Sequence, residues 1–339
     1  VIRKVVIYAA LNLSFVACAN ATPTIYVGCI GPSVDGSPYG QSYVETISPS
    51  GTTGIFTNNL TFVGGIAFDS YGNLDVTEQV GMADTAGVIR IDPNGIPSAV
   101  TDVNVGGIAF CETTDLSGNI YIGTSTMTGG ITRVTPAGIV SNFSLVTLPG
   151  NTGSNGVQGM IFNTDGNLYA TSSEYILQIQ PNGTTNIFAA GNLPSGGNTF
   201  IGLTNNSSGD LFATDFDTGQ VDEIAPSGEM SIFASGLNEP EGITIDSVGD
   251  LYVAGYGDGT IDEISPAGVV TQYASDLNQP EYIAIAPVPL LGAVLIYLSN
   301  ARKMHRRTLR ISQNGKGYPG TIFGEPSRSI VAPAKGYAA

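Results

Sequence analysis

Apolar and polar residues alternate along most of this chain in short runs, and the same runs recur. One segment appears six times: VETISPSG (44–51), VIRIDPNG (88–95), ITRVTPAG (131–138), ILQIQPNG (176–183), VDEIAPSG (221–228) and IDEISPAG (261–268). Period-two alternation ending in Pro-x-Gly predicts a half-buried strand that runs into a tight turn. A further short strand follows each turn, as in TGIFTN, TTNIFAA, MSIFAS and VVTQYAS. A second segment precedes most of these turns: GGIAFDSYGNLDV (64–76), GGIAF with SGNIYIG (106–110 and 117–123), QGMIFNTDGNLYA (158–170), IGLTNNSSGDLFA (201–213) and EGITIDSVGDLYV (241–253). It predicts an apolar strand, a turn at Gly-Asn or Gly-Asp that supplies positive φ, and a strand opening on a Leu/Ile–aromatic pair.

Each unit therefore holds four antiparallel strands. With Gly65, Gly107, Gly159, Gly202 and Gly242 as markers, the spacings are 42, 52, 43 and 40 residues, and the long third unit is read as carrying insertions at 112–115 and 146–155. Four strands at a period near 40 predict a β-propeller. The chain enters at TIYVG (24–28), which matches a second strand, and the missing first strand stands at the far end as EYIAI (281–285). Six blades result, with the C-terminal strand closing the N-terminal blade so that no sheet edge is left open. The fold class is all-β, a six-bladed propeller over 22–287, expected as a monomer.

These residues resemble the NHL-type propellers and the wider group with gluconolactonase-like (SMP-30-like) and streptogramin-lyase-like members. The resemblance covers roughly residues 24–286 and rests on G-[ND]-[LI]-[YF]-[VA], I-x-P-x-G and the Asn-x-Pro-Glu linkers at 238–241 and 278–281. It is specific for architecture and weak for activity, because such propellers host many functions. The gluconolactonase-like members imply a first-strand Glu, two channel Asn and an Asp around a divalent metal. Glu281 matches the Glu by position, and the other three find no match. The lyase-like members imply a catalytic His, whereas the single His here, His305, lies beyond the ring. A WD40 reading is disfavoured because the chain has no Trp.

Charge narrows the function classes. Residues 24–289 carry 27 acidic side chains against Arg90 and Arg133, while residues 290–339 carry eight Lys/Arg and one Glu. A body this acidic excludes nucleic acid, whose phosphates demand clustered cations. Residues 1–21 are expected to be a secretory signal peptide, with a basic start, an apolar run and Ala19-Asn20-Ala21 before the cut, so the protein is expected to be exported to the periplasm, cell surface or medium. Once Cys18 leaves with the signal, Cys29 and Cys111 remain, read as two small buried hydrophobes. After the ring, residues 288–310 hold an apolar run too short to span a bilayer and then a basic cluster at Arg302, Lys303, His305, Arg306 and Arg307. This order resembles a PEP-CTERM sorting signal lacking its Pro-Glu-Pro, which implies contact with a membrane or sorting machinery. Residues 311–339, rich in Gly, Pro, Ser and Ala, are expected to be disordered.

Candidate chemistry lies at one mouth of the channel. The start of each innermost strand and the loop after each second strand share a face of a propeller. The innermost-strand starts read Glu281, Gly64, Gly106, Gln158, Ile201 and Glu241 around the ring, and the loops add Glu78, Asp215, Asp217 and Asp258. Carboxylates that converge without basic partners either hold a hard cation or raise each other's pKa. Glu241, Glu281, Gln158 and Glu78 are the channel-mouth candidates. Glu241, Glu281, Asp215 and Asp258 are the candidates for Ca²⁺ or another divalent cation. Turn chemistry by itself accounts for a single Asp-Gly. With no ring His, no Cys in a basic setting and no Ser–His pair, nucleophilic catalysis has no parts here. The expected function is a scaffold that binds a protein, carbohydrate or small molecule at the propeller face. The alternative is a metal-dependent lactonase or related hydrolase.

Overall fold

A computed structural model describes residues 23–286 except 32–40, 80–84, 106–107, 126–129, 147, 149–155, 164 and 192–198. The expected signal peptide (1–21), the apolar-basic segment (288–310) and the tail lie outside the described residues. Among the latter, all regular structure is strand, in six four-stranded antiparallel sheets. The innermost strands of blades one to six are Pro280–Ile285, Phe62–Phe68, Ile108–Thr114, Gly159–Phe162, Phe200–Asn205 and Pro240–Ile245. Each packs against the innermost strand of the next blade all the way round.

Closure occurs as the sequence implies. Pro280–Ile285 pairs antiparallel with Ile25–Cys29, with Val27 opposite Ile283, and Ser42–Ile47 and Thr53–Leu60 complete blade one. Alternation buries one set of side chains per strand, and the described residues form six apolar clusters, one at each seam between neighbouring blades. The Leu/Ile–aromatic pair proves to be a packing device. Tyr26, Tyr121, Tyr169, Phe212 and Tyr252 each meet a fourth-strand ring edge-on, with centroids 4.9–5.1 Å apart. Such contacts add about 0.5–1.5 kcal/mol beyond the area they bury.

Blade two breaks this rule. Asp75 occupies the aromatic position at 0% exposure, and Arg90 donates to both of its oxygens at 2.8 Å. Blade three corrects the sequence register. Residues 112–114 are not a loop insertion but the end of the innermost strand, with Cys111 opposite Gly123 as Gly159 is opposite Thr171. Cys111 is thus the marker equivalent, the spacings become 46 and 48, and the third blade's innermost-strand start is Phe110 rather than Gly106. The misreading arose because GGIAF repeats the blade-two sequence four residues too early. Of the expected insertion at 146–155, the described Val146 and Leu148 are buried in the cluster between blades three and four. Cys29 and Cys111 are free and buried, as expected, and burial pushes the Cys29 thiol up to about 12.

Candidate functional site

The mouth is built where the innermost strands begin. Each Asn-x-Pro-Glu linker turns into its strand through a residue in the left-handed region, Glu239 at φ 48° and Gln279 at φ 43°. Non-glycine residues hold such angles only where the surroundings over-determine them. Here the loop after the second strand does so. Tyr256 N–H donates to the Glu239 carbonyl at 3.1 Å, Gly257 N–H donates to the Asn238 carbonyl at 3.3 Å, and in blade one Ile30 N–H donates to the Gln279 carbonyl. The Asn278 amide also donates to the Ile30 carbonyl. Across the two blades, Gln279 donates to the Tyr256 hydroxyl at 2.6 Å.

The innermost strands then approach closely. At Gly242 an added Cβ would strike the Glu281 carbonyl, and at Gly202 the Glu241 carbonyl, so only glycine admits the neighbouring blade. In blade five the register shifts between Phe200 and Leu203, which takes Gly202 out of the ladder. Thr214, fully buried, repairs this: it accepts from Gly202 N–H at 2.7 Å and donates to the Glu241 carbonyl of the next blade at 2.6 Å. Thr171 donates in the same way to the Ile201 carbonyl at 2.7 Å. This inter-blade threonine latch fixes the backbone from which Glu241 projects.

Glu241 and Glu281, half-buried on adjacent strands, face one environment. Burial first, then the charges of Glu281 and Glu239, push Glu241 up to about 9. Burial pushes Glu281 up to about 8. The Tyr256 phenol is raised by burial and then by Glu281, Glu241 and Glu239, which places it beside the pair. The described cations sit elsewhere: Arg90 on Asp75, and Arg133 beside Tyr121. Gln158 immediately precedes the innermost strand Gly159–Phe162, its N–H donating to the Thr171 carbonyl at 3.1 Å.

The other candidates are held by local partners, Glu78 and Asp215 within the second strands Leu74–Gln79 and Leu211–Asp215 rather than in the loops that follow them. Glu78 accepts from the Thr61 N–H and hydroxyl at 2.9 and 2.8 Å, pinning the entry to blade two. Asp215 is fully buried and accepts from Thr199 N–H at 3.3 Å and Thr218 N–H at 3.4 Å, while Asp217 accepts from the Thr199 hydroxyl at 2.5 Å. Behind it, burial and then Asp215 push Asp222 up to about 6. Asp258 accepts from the Thr260 hydroxyl at 2.8 Å inside its own turn. Among the described residues no three His, Cys, Asp or Glu converge to hold a metal ion. The mouth supplies two carboxylates, so a divalent ion there would complete its shell with water or ligand oxygens.

The inter-blade threonines were missed in the sequence, although they recur two positions after the aromatic. So was Asp75, visible as the one acidic residue at an otherwise aromatic position.

The SBBP β-propeller repeat family matches residues 233–261, from the fourth strand of blade five into the third strand of blade six. No curated protein sequence matches the chain. Among solved structures, virginiamycin B lyase from Staphylococcus aureus shares 21% identity over 76% of this chain and 88% of its own, with a TM-score of 0.54. The chain shares the β-propeller fold of these proteins. A gluconolactonase from Xanthomonas campestris is similar at 14% identity, 70% and 85% coverage and a TM-score of 0.52. A protein of unknown function from Bacteroides caccae is similar at 14%, 79% and 100%, with a TM-score of 0.58. At these identities the likeness is one of fold.

Proposed function

We propose that this chain is an exported binding propeller whose channel mouth, at Glu241 and Glu281, takes a ligand that brings positive charge. The observation that carries the reading is the pair itself: two carboxylates raised to about 9 and about 8, on adjacent strands beside a phenol, with Arg90 and Arg133 both engaged elsewhere. A site with no countercharge among the described residues holds protons until a cationic group displaces them. Export rests on the basic, apolar and small-residue order of residues 1–21.

The test is the melting temperature of the full chain with calcium chloride and, separately, n-butylammonium chloride, against sodium chloride at equal ionic strength. Glu241→Gln/Glu281→Gln is run alongside. A ligand at a hundredfold excess over its dissociation constant stabilises by about 2.7 kcal/mol. A rise with either probe that vanishes in the double variant supports the reading, and no rise with either sinks it.

A metal-dependent lactonase is the second reading. It is favoured by the Glu281 position and by the fold shared with a gluconolactonase. It requires calcium-stimulated opening of a sugar lactone by the wild type and none by Glu281→Gln. A lyase reading lacks support, since one related structure is a catalytically inactive His→Ala variant of the lyase and the single His of this sequence, His305, lies outside the described residues.

A further inference from the structure

The corrected register places an acid where the fold asks for a hydrocarbon. Glu112 stands at the position held by Ile66, Met160, Leu203, Ile243 and Ile283 in the other blades, and it is only 6% exposed. Its side chain packs back across the seam onto blade two. There the Thr77 hydroxyl donates to Oε2, and Oε1 has no hydrogen-bond partner among the described residues. Thr77 is the counterpart of Thr171 and Thr214, and it opposes Gly65 as Thr171 opposes Gly159. Those two donate to a backbone carbonyl of the next blade, whereas Thr77 donates to a side chain that can lose a proton.

We propose that Glu112 is a proton-dependent latch between blades two and three: as the neutral acid it packs in the dry seam against Thr77, and its ionisation puts a buried charge there that loosens the seam even though the carboxylate accepts more strongly from Thr77. The charged groups around it make ionisation costly. From the second strand of blade two comes Asp75, fully buried, and from the third strand Arg90, whose guanidinium is already committed to both Asp75 oxygens. Asp69, after the first strand, lies 3.6 Å from the same guanidinium. The innermost strand of blade two, Phe62–Phe68, and that of blade four, Gly159–Phe162, carry no charged residue. Within blade three Glu112 stands opposite Ile122, and its titratable neighbour is the Cys111 thiol, itself raised by burial. Burial first and Asp75 second push Glu112 well above the usual carboxylate range, and they outweigh the Thr77 hydroxyl, the Ala67 N–H and the Arg90 charge, which favour the ionised form.

The sign follows from linkage. An acid that keeps its proton in the native state and loses it when unfolded makes stability fall as pH rises above about 4.3, the ordinary Glu value, until the native group itself ionises. The effect is at most about tenfold in the unfolding constant per pH unit for one group. The experiment uses the full chain and its Glu112→Gln variant, which retains an acceptor for Thr77 but cannot ionise. Glu112→Met, the residue type of blade four, serves as a second variant should Gln fold poorly. Urea midpoints are measured from pH 4 to 10, and deuterium uptake of peptides spanning 62–68 and 108–114 is compared between chains at each pH.

The expected result is a wild-type midpoint that falls with pH more steeply than that of either variant. Uptake in those two strands should rise relative to the variants as pH increases, and not in blade five. Parallel midpoint profiles, or uptake ratios that stay constant with pH, overturn the proposal.

Discussion

Replacing Thr214 by Val tests whether the inter-blade latch carries stability and positions the mouth. The change keeps the branched shape and removes one hydroxyl, which is fully buried and makes two bonds, from Gly202 N–H at 2.7 Å and to the Glu241 carbonyl at 2.6 Å. Neither backbone group has a ladder partner, since both strands shift register at that point. Each orphaned buried group costs about 1–3 kcal/mol, so the pair should cost about 2–4 kcal/mol after partial relaxation. Thr214→Ser keeps both bonds and loses one methyl, which costs about 0.8 kcal/mol. Urea unfolding should show the Val variant with a lowered midpoint and an unchanged slope, since the exposed surface on unfolding is the same. The reasoning is refuted if Val matches the wild type within about 0.5 kcal/mol, or if Ser loses as much as Val, because then the hydroxyl is not what matters.

Asp75→Ala should destabilise by about 3–5 kcal/mol in urea, since it strands a partly buried guanidinium. The Asp75→Tyr/Arg90→Gln pair, copying Tyr169 and Gln178 of blade four at 2.9 Å, should recover most of that loss. Gly242→Ala should lower the melting temperature and weaken any ligand effect, because its Cβ would displace the Glu281 backbone. Asp222, Glu281 and Glu241, raised to about 6, 8 and 9, keep protons in the native state that the unfolded chain releases above about pH 4. Urea midpoints should therefore fall from pH 5 to pH 9, and less steeply in Glu241→Gln/Glu281→Gln. Phe200→Ala, at 0% exposure in the seam between blades four and five, should cost about 3–5 kcal/mol by the same assay.

The architecture was legible because each signal had one physical cause. Pro-x-Gly and Gly-Asn mark turns that need positive φ, as at Gly228 (φ 85°), and period-two alternation marks strands with one set of side chains buried against a neighbouring blade. The displaced first strand at 281–285 revealed closure for the same reason. Blade three was misread because a local repeat, GGIAF, outweighed the spatial constraint that each marker oppose a fixed second-strand position. That constraint exists only once the ladder of Cys111 and Gly123 is known. At the site, Glu241 and Glu281 were found by counting along equivalent strands. Asp258 lies in the loop after its second strand, whereas Glu78 and Asp215 still belong to the second strands Leu74–Gln79 and Leu211–Asp215, and all three turn onto local partners, Thr260, Thr61 and Thr199, a choice that spacing alone does not encode. Thr214 and Glu112 act across seams between units, so a reading made one repeat at a time could not assign them.

The most direct test is calorimetric. Calcium chloride and n-butylammonium chloride are each titrated into the full chain at pH 7 in two buffers of different ionisation enthalpy, with Glu241→Gln/Glu281→Gln as the control. Because burial holds both carboxyls protonated at that pH, a cationic ligand must expel protons to bind there. The account predicts a buffer-dependent heat corresponding to the release of about one to two protons with at least one probe, absent in the double variant. Binding without proton release, the same release in the double variant, or no binding of either probe would contradict it.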